Sequence, residues 1–120
     1  MTLLTLVTGA SAGIREAAIA ARVDPSEHTV IILEGLPDGK EMLPPSDASA
    51  NPHVVRIAPG CMHCTGNLVM RVTLNRLLRE QPHRMFISVA SDEHLGLLRQ
   101  FLQSPPYDTL LSLSADLACA

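Results

Sequence analysis

Leu3-Leu4-Thr5-Leu6-Val7-Thr8-Gly9-Ala10-Ser11-Ala12-Gly13 is the stretch on which the fold turns. Its first five residues form a short, nearly continuous apolar run, and glycines follow at once. A run of that length bounded by turn residues predicts a strand buried on both faces. Glu16 to Val23 is then Ala-rich and helix-favouring until Asp24-Pro25 stops it. A buried strand that feeds a helix through a glycine turn is the opening unit of a layered α/β fold.

The pattern repeats outward. Thr29 to Leu33 is a second uninterrupted, β-branched strand. From Glu34 to His53 the composition shifts to Gly35, Pro37, Gly39, Pro44, Pro45 and Pro52 mixed with Ser and Asp. That is an irregular surface loop, long for a connection in a small domain and so a candidate for function. Val54 to Ala58 is a third strand. Asn67 to Glu80 turns helical, with Met70, Leu74, Leu77 and Leu78 on one stripe and Arg71, Arg76 and Arg79 mostly on a solvated face. Met85 to Ala90 is a fourth strand, and Ser91 is placed to cap a helix over Asp92 to Gln103. Leu95, Leu98 and Leu102 form that helix's inner face, and Leu110 to Leu113 is a last strand. Strands alternating with helices predict a mostly parallel sheet of about five strands. Its last strand would leave an edge that a second copy, as a homodimer, or another protein partner would hide.

Composition sets the bounds. The 120 residues suit one domain, residues 1–120, and a chain of this size buries roughly 65% of its extended surface. Hydrophobic residues at 47% with a net charge of −3 exclude global disorder. Aromatics at 2% mean an aliphatic core. Nine Lys and Arg against twelve Asp and Glu, with few aromatics to stack bases, argue against nucleic acid. No apolar run approaches the roughly 18 residues of a membrane span, and Met1 to Val7 lacks the charged start of a signal peptide. Three cysteines make no disulfide framework, so the expected compartment is cytoplasmic.

The glycine turn can be read against two phosphate-binding patterns. Backbone N–H groups at such a helix start, aided by the helix dipole, suit an anion, which makes Gly9, Gly13 and Arg15 candidate nucleotide-binding residues. A P-loop needs G-x-x-x-x-G-K-[ST]. Counted from Gly9, the second glycine position holds Ile14, the lysine position Arg15 and the hydroxyl position Glu16. The only lysine, Lys40, lies in the long loop. Thr8, Gly9, Gly13 and Ile14 also match a T-G-x-x-x-G-I-G dinucleotide turn, with Arg15 in place of its last glycine. Glu34, at the end of the second strand, would then hold a ribose hydroxyl. Yet the sole tyrosine, Tyr107, has no following lysine to make a Tyr-x-x-x-Lys dyad. The third reading is a tight turn that binds nothing.

Gly60-Cys61-Met62-His63-Cys64 is the sharpest chemical feature. Cys61, His63 and Cys64 supply two thiolates and an imidazole within four residues, a donor set that favours zinc, with Cu(I) as a second option. The fourth position would go to water, a loop carboxylate, a histidine such as His53 or His94, or a second chain. Cys-x-x-Cys before a helix is also a redox arrangement, and two incidental buried thiols are the plainest alternative. Cys119 is read as incidental.

Ala58-Pro59-Gly60-Cys61-Met62-His63-Cys64-Thr65-Gly66-Asn67-Leu68 resembles the G-C-x-C-C segment of the CobW-like P-loop GTPases, with His63 in place of the middle cysteine. Arg84 to Ala90 and Thr109 to Asp116 resemble later strands of that family in order and spacing. The resemblance implies a P-loop NTPase-like three-layer α/β sandwich without the family's C-terminal part. It also implies a role in zinc or cobalt homeostasis coupled to GTP. The chain departs from the family at four points. The P-loop Lys and Ser/Thr are replaced, and Ser88 stands where an acid is expected. No Asn-Lys-x-Asp guanine motif occurs, and the chain stops before the strand that would carry one. What the resemblance then implies is a metal-binding or regulatory module deficient in hydrolysis, for which GTP is a doubtful cofactor. A nucleotide-binding enzyme using the Gly9–Gly13 turn is the alternative.

Overall fold

The computed structural model describes residues 1–39, 41–58, 68–93 and 95–119. In chain order the elements are β1 (Thr2–Thr8), α1 (Ala12–Ala20), β2 (Thr29–Glu34), β3 (His53–Ile57), α2 (Leu68–Leu78), β4 (Arg84–Ser88), α3 (Leu95–Leu102), β5 (Leu111–Leu113) and β6 (Leu117–Ala118). The strands form a six-stranded sheet in the order β3-β2-β4-β1-β5, with β6 also on β1. Every pairing is parallel.

Alternation along the strands explains why these runs lack polar residues. In β2, Val30 and Ile32 face a core shared with Met70, Leu74 and Leu77 of α2 and Leu98 and Leu102 of α3. Ile31 and Leu33 face the other side, where they meet Ile19 of α1 and Phe86 of β4. The sheet is thus packed between α1 on one face and α2 with α3 on the other. A strand covered on both faces has no solvent side to mark with polar residues.

The structure departs from expectation in three places. A sixth strand exists: β5 pairs with Thr2 to Leu4, Ser114 N donates to Leu4 O at 2.9 Å, and β6 pairs with Val7 and Thr8. Two residues carry no periodicity, so β6 was invisible as a pattern. Ser91 does not cap α3; its Oγ accepts from Glu93 N at 3.2 Å, and the helix begins at Leu95. The long loop is anchored rather than merely draped over the surface. Leu43 enters the α1-side core at 6% exposure, and Ser46 N donates to Val54 O at 3.0 Å.

Tyr107, in a short 3-10 turn (Tyr107–Thr109), is buried and donates its hydroxyl to Asn75 Oδ1 at 2.7 Å. Burial raises its pKa above the ordinary tyrosine value of about 10, against the opposing pull of the Arg71 charge. The stability this group contributes is therefore present below the unfolded-state value and lost as pH rises through the folded one. Because Tyr107 is the only tyrosine, near-ultraviolet absorbance reads it alone. An alkaline titration should give a phenolate midpoint above that of free tyrosine; a midpoint at or below it would contradict the burial argument.

Candidate functional site

The chain leaves β1 through α1 to reach β2, over one face of the sheet. It leaves β4 through α3 to reach β5, over the other face. Since β1 and β4 are neighbours, the two connections part in opposite directions above their carboxyl ends. Open α/β sheets bind ligands at such a crevice. Here it is a cavity of about 510 Å³, with Thr8, Gly9 and Ala10 on one side and Val89, Ala90, Ser91 and Asp92 on the other. Ala118 and Cys119 line its rim. None of these lining residues is a lysine or arginine.

The turn after β1 is held from within. Ser11 caps α1, its Oγ accepting from Ile14 N at 3.2 Å. Arg15 is only 3% exposed and points back under the turn. Its Nε donates to Ser88 Oγ at 2.8 Å and its Nη1 to Gly9 O at 3.1 Å. The guanidinium thereby ties the carboxyl end of β4 to the strand-to-helix turn. Gly9 is needed for the same packing, because a Cβ there would stand 3.1 Å from both Arg15 Cγ and Cys119 Cβ. At Gly13 a Cβ would lie 2.6 Å from Asp38 Oδ1, so the long loop lays a carboxylate beside the start of α1.

Glu16 is equally committed. It is 3% exposed, and Arg56 of β3 grips both its oxygens, Nη1 to Oε2 at 3.1 Å and Nη2 to Oε1 at 2.9 Å. Arg56 Nη1 also donates to Gly35 O at 2.7 Å, and Nη2 reaches Glu41 Oε1 at 3.3 Å. Arg56 thus joins α1, β3 and the long loop. The hydrogen-bonded Glu16 carboxylate raises the guanidinium pKa beyond its usual value, outweighing the effect of burial. Glu34, at the end of β2, is 2% exposed, and its Oε1 accepts from Ala90 N at 2.8 Å in the crevice wall.

Cys61, His63 and Cys64 lie outside the described residues, as does His94. The segment that carries them leaves β3 at its carboxyl end and re-enters at α2. His53 stands at the opposite end of β3, about 13 Å away at the usual strand rise. There its Nδ1 contacts Glu80 Oε2 at 2.7 Å, while His28 Nε2 contacts Glu80 Oε1 at 3.2 Å. His53 thus has a partner of its own in Glu80. Among the described residues, no group of three or more His, Cys, Asp or Glu is placed to hold a metal ion. No described helix is long and apolar enough to cross a membrane.

Sequence reasoning singled out Gly9, Gly13 and Arg15, and the structure brings them to one turn. It missed Arg56 and the Arg15–Ser88 bond. A charged residue inside a strand and a charged pair opening a helix, Arg15-Glu16, were the available signals. Both point to buried partners, since charges in a core must be paired. No family model, curated protein or solved structure matches the chain.

Proposed function

We propose that the chain is a CobW-like metal-binding regulatory module that does not turn over nucleotide, with Cys61, His63 and Cys64 as zinc ligands. One observation carries the hydrolysis-deficient half of this reading. Arg15 and Glu16, which stand at the lysine and Ser/Thr positions of a P-loop pattern, are both buried and bonded within the fold. A triphosphate needs a free cation near its terminal phosphates and a hydroxyl on its magnesium. This turn offers a guanidinium already turned to Ser88 and a carboxylate already paired with Arg56.

The metal half is supported by the donor set itself. Two thiolates and an imidazole match zinc in softness and preferred number, and three protein ligands leave one position for exchange with a partner or water.

Metal analysis of the purified full chain tests the proposal. Zinc is expected at close to one ion per chain, and Cys61→Ser with Cys64→Ser should abolish it. Metal-free protein from zinc-supplemented expression would overturn the reading. Titration with GTP and magnesium should give no saturable binding.

The alternative, a nucleotide-dependent enzyme working at the Gly9–Gly13 turn, is favoured by one feature, the crevice beside Gly9 where open α/β sheets bind ligands. Saturable, magnesium-dependent GTP binding, or dinucleotide binding, would select it.

A further inference from the structure

The outer face of α2 carries exposed apolar side chains. At 3.6 residues per turn, Leu68, Val72 and Arg76 fall within about 80° of arc, opposite the buried Met70, Thr73, Leu74 and Leu77, and exposed Arg79 follows in the turn after the helix. Leu68 and Val72 are 57% and 59% exposed, an apolar pair one turn apart with no covering element among the described residues. Beside them a hollow of about 330 Å³ is lined by Asn75, Leu78, Arg79 and Leu110. Leu110 is itself 46% exposed. The hollow thus sets two leucines beside the polar side chains of Asn75 and Arg79.

Charge is segregated in the same place. From Leu68 to Leu78 the helix has arginines and no acid, although the whole chain carries −3. Glu80, the nearest acid in sequence, is turned to His28 and His53. Arg71 lies 5.7 Å over the Phe101 ring and links α2 to α3. Arg76 and Arg79 make no ion pair with an acid among the described residues.

We propose that this face docks an acidic amphipathic segment of a partner protein, whose apolar side chains cover Leu68 and Val72 and enter the Leu78–Leu110 hollow while its carboxylates meet Arg76 and Arg79. Charge complementarity selects the occupant. A second copy of the chain using the same face would bring arginine against arginine, which like-charge repulsion opposes. An apolar pair followed by two arginines suits an amphipathic helix with an apolar half and an acidic end. The face lies across the sheet from α1 and so on the other side from the helix that follows the Gly9–Gly13 turn.

The test uses the full chain and a synthetic helical peptide of Leu and Glu, with its Leu and Lys counterpart and phosphatidylserine vesicles as controls. The Leu–Glu peptide should bind saturably, with amide shifts confined to Leu68–Arg79 and Leu110, and more weakly as salt rises. Arg76→Glu with Arg79→Glu should weaken it by about tenfold or more, in line with charge reversal across an interface. Both positions are exposed, so folding is unaffected. Val72→Ser should weaken it independently. Equal binding of both peptides, shifts elsewhere, no saturable binding, or vesicle binding in place of peptide binding would each overturn the proposal.

Discussion

Arg56→Ala should cost about 3–5 kcal/mol, the penalty for leaving one member of a buried ion pair without its partner. Glu16 is the member left behind. It sits 3% exposed on α1 with both oxygens gripped by the Arg56 fork, and the same guanidinium also holds Gly35 O. A two-pronged carboxylate contact of this kind is stronger than a single charged hydrogen bond. Domains of this size have only about 5–15 kcal/mol in total, so the variant would sit near the margin of folding. Glu41, the other acid on Arg56, is a contrast. Its side chain is 35% exposed, and Glu41→Ala should cost no more than about 1 kcal/mol, as solvated pairs do. Urea unfolding midpoints measure both. The double change Glu16→Leu with Arg56→Met should recover much of the loss, because apolar replacement of a whole buried pair is often neutral. If Arg56→Ala proves as mild as Glu41→Ala, the pair does not hold α1 to β3 as described.

Arg15→Met should cost about 2–3 kcal/mol even though the substitution keeps much of the bulk, because two acceptors lose their donor. Ser88 Oγ is wholly buried at the end of β4, and Gly9 O belongs to the turn that α1 grows from. Arg15→Lys is the informative companion. An ammonium on a flexible stem reaches one of these oxygens but lacks the planar fork that spans both. It should therefore be intermediate in stability. It also restores a P-loop's residue type at this position, and is still expected to bind no GTP, since Glu16 remains paired with Arg56. Equilibrium unfolding together with a GTP–magnesium titration checks both halves. Saturable binding by Arg15→Lys would show that one guanidinium alone had closed this turn to phosphate.

Much of the fold is legible in the order of residues. Leu3–Val7, Thr29–Leu33 and Met85–Ala90 are runs that only a sheet covered on both faces accommodates, and they became β1, β2 and β4. The stripe of Met70, Leu74 and Leu77 became the buried face of α2. Boundaries were less legible. Helix α1 starts at Ala12, within the glycine turn, because Ser11 caps it. Helix α3 starts late because Ser91 bonds into a turn instead. In sequence the turn at Gly9, Gly13 and Arg15 has the residue types of an anion cradle. Gly9 also has a packing reason, standing tight against Arg15 and Cys119, whereas a side chain at Gly13 would meet only the end of the Asp38 side chain.

Local chemistry, read from the order of residues, determined the alternation of strands and helices, the aliphatic core, the missing P-loop lysine and the Cys61-Met62-His63-Cys64 donor cluster. These depend on neighbours a few positions apart, and periodicity records them directly. Only the tertiary structure decided where charges went. Glu16 meets Arg56 forty positions on, and Arg15 meets Ser88 seventy-three positions on. His53 is carried to Glu80, twenty-seven positions on. Such pairings depend on strand order and on which face a side chain enters, and both come from packing the sheet between its helices rather than from any local pattern.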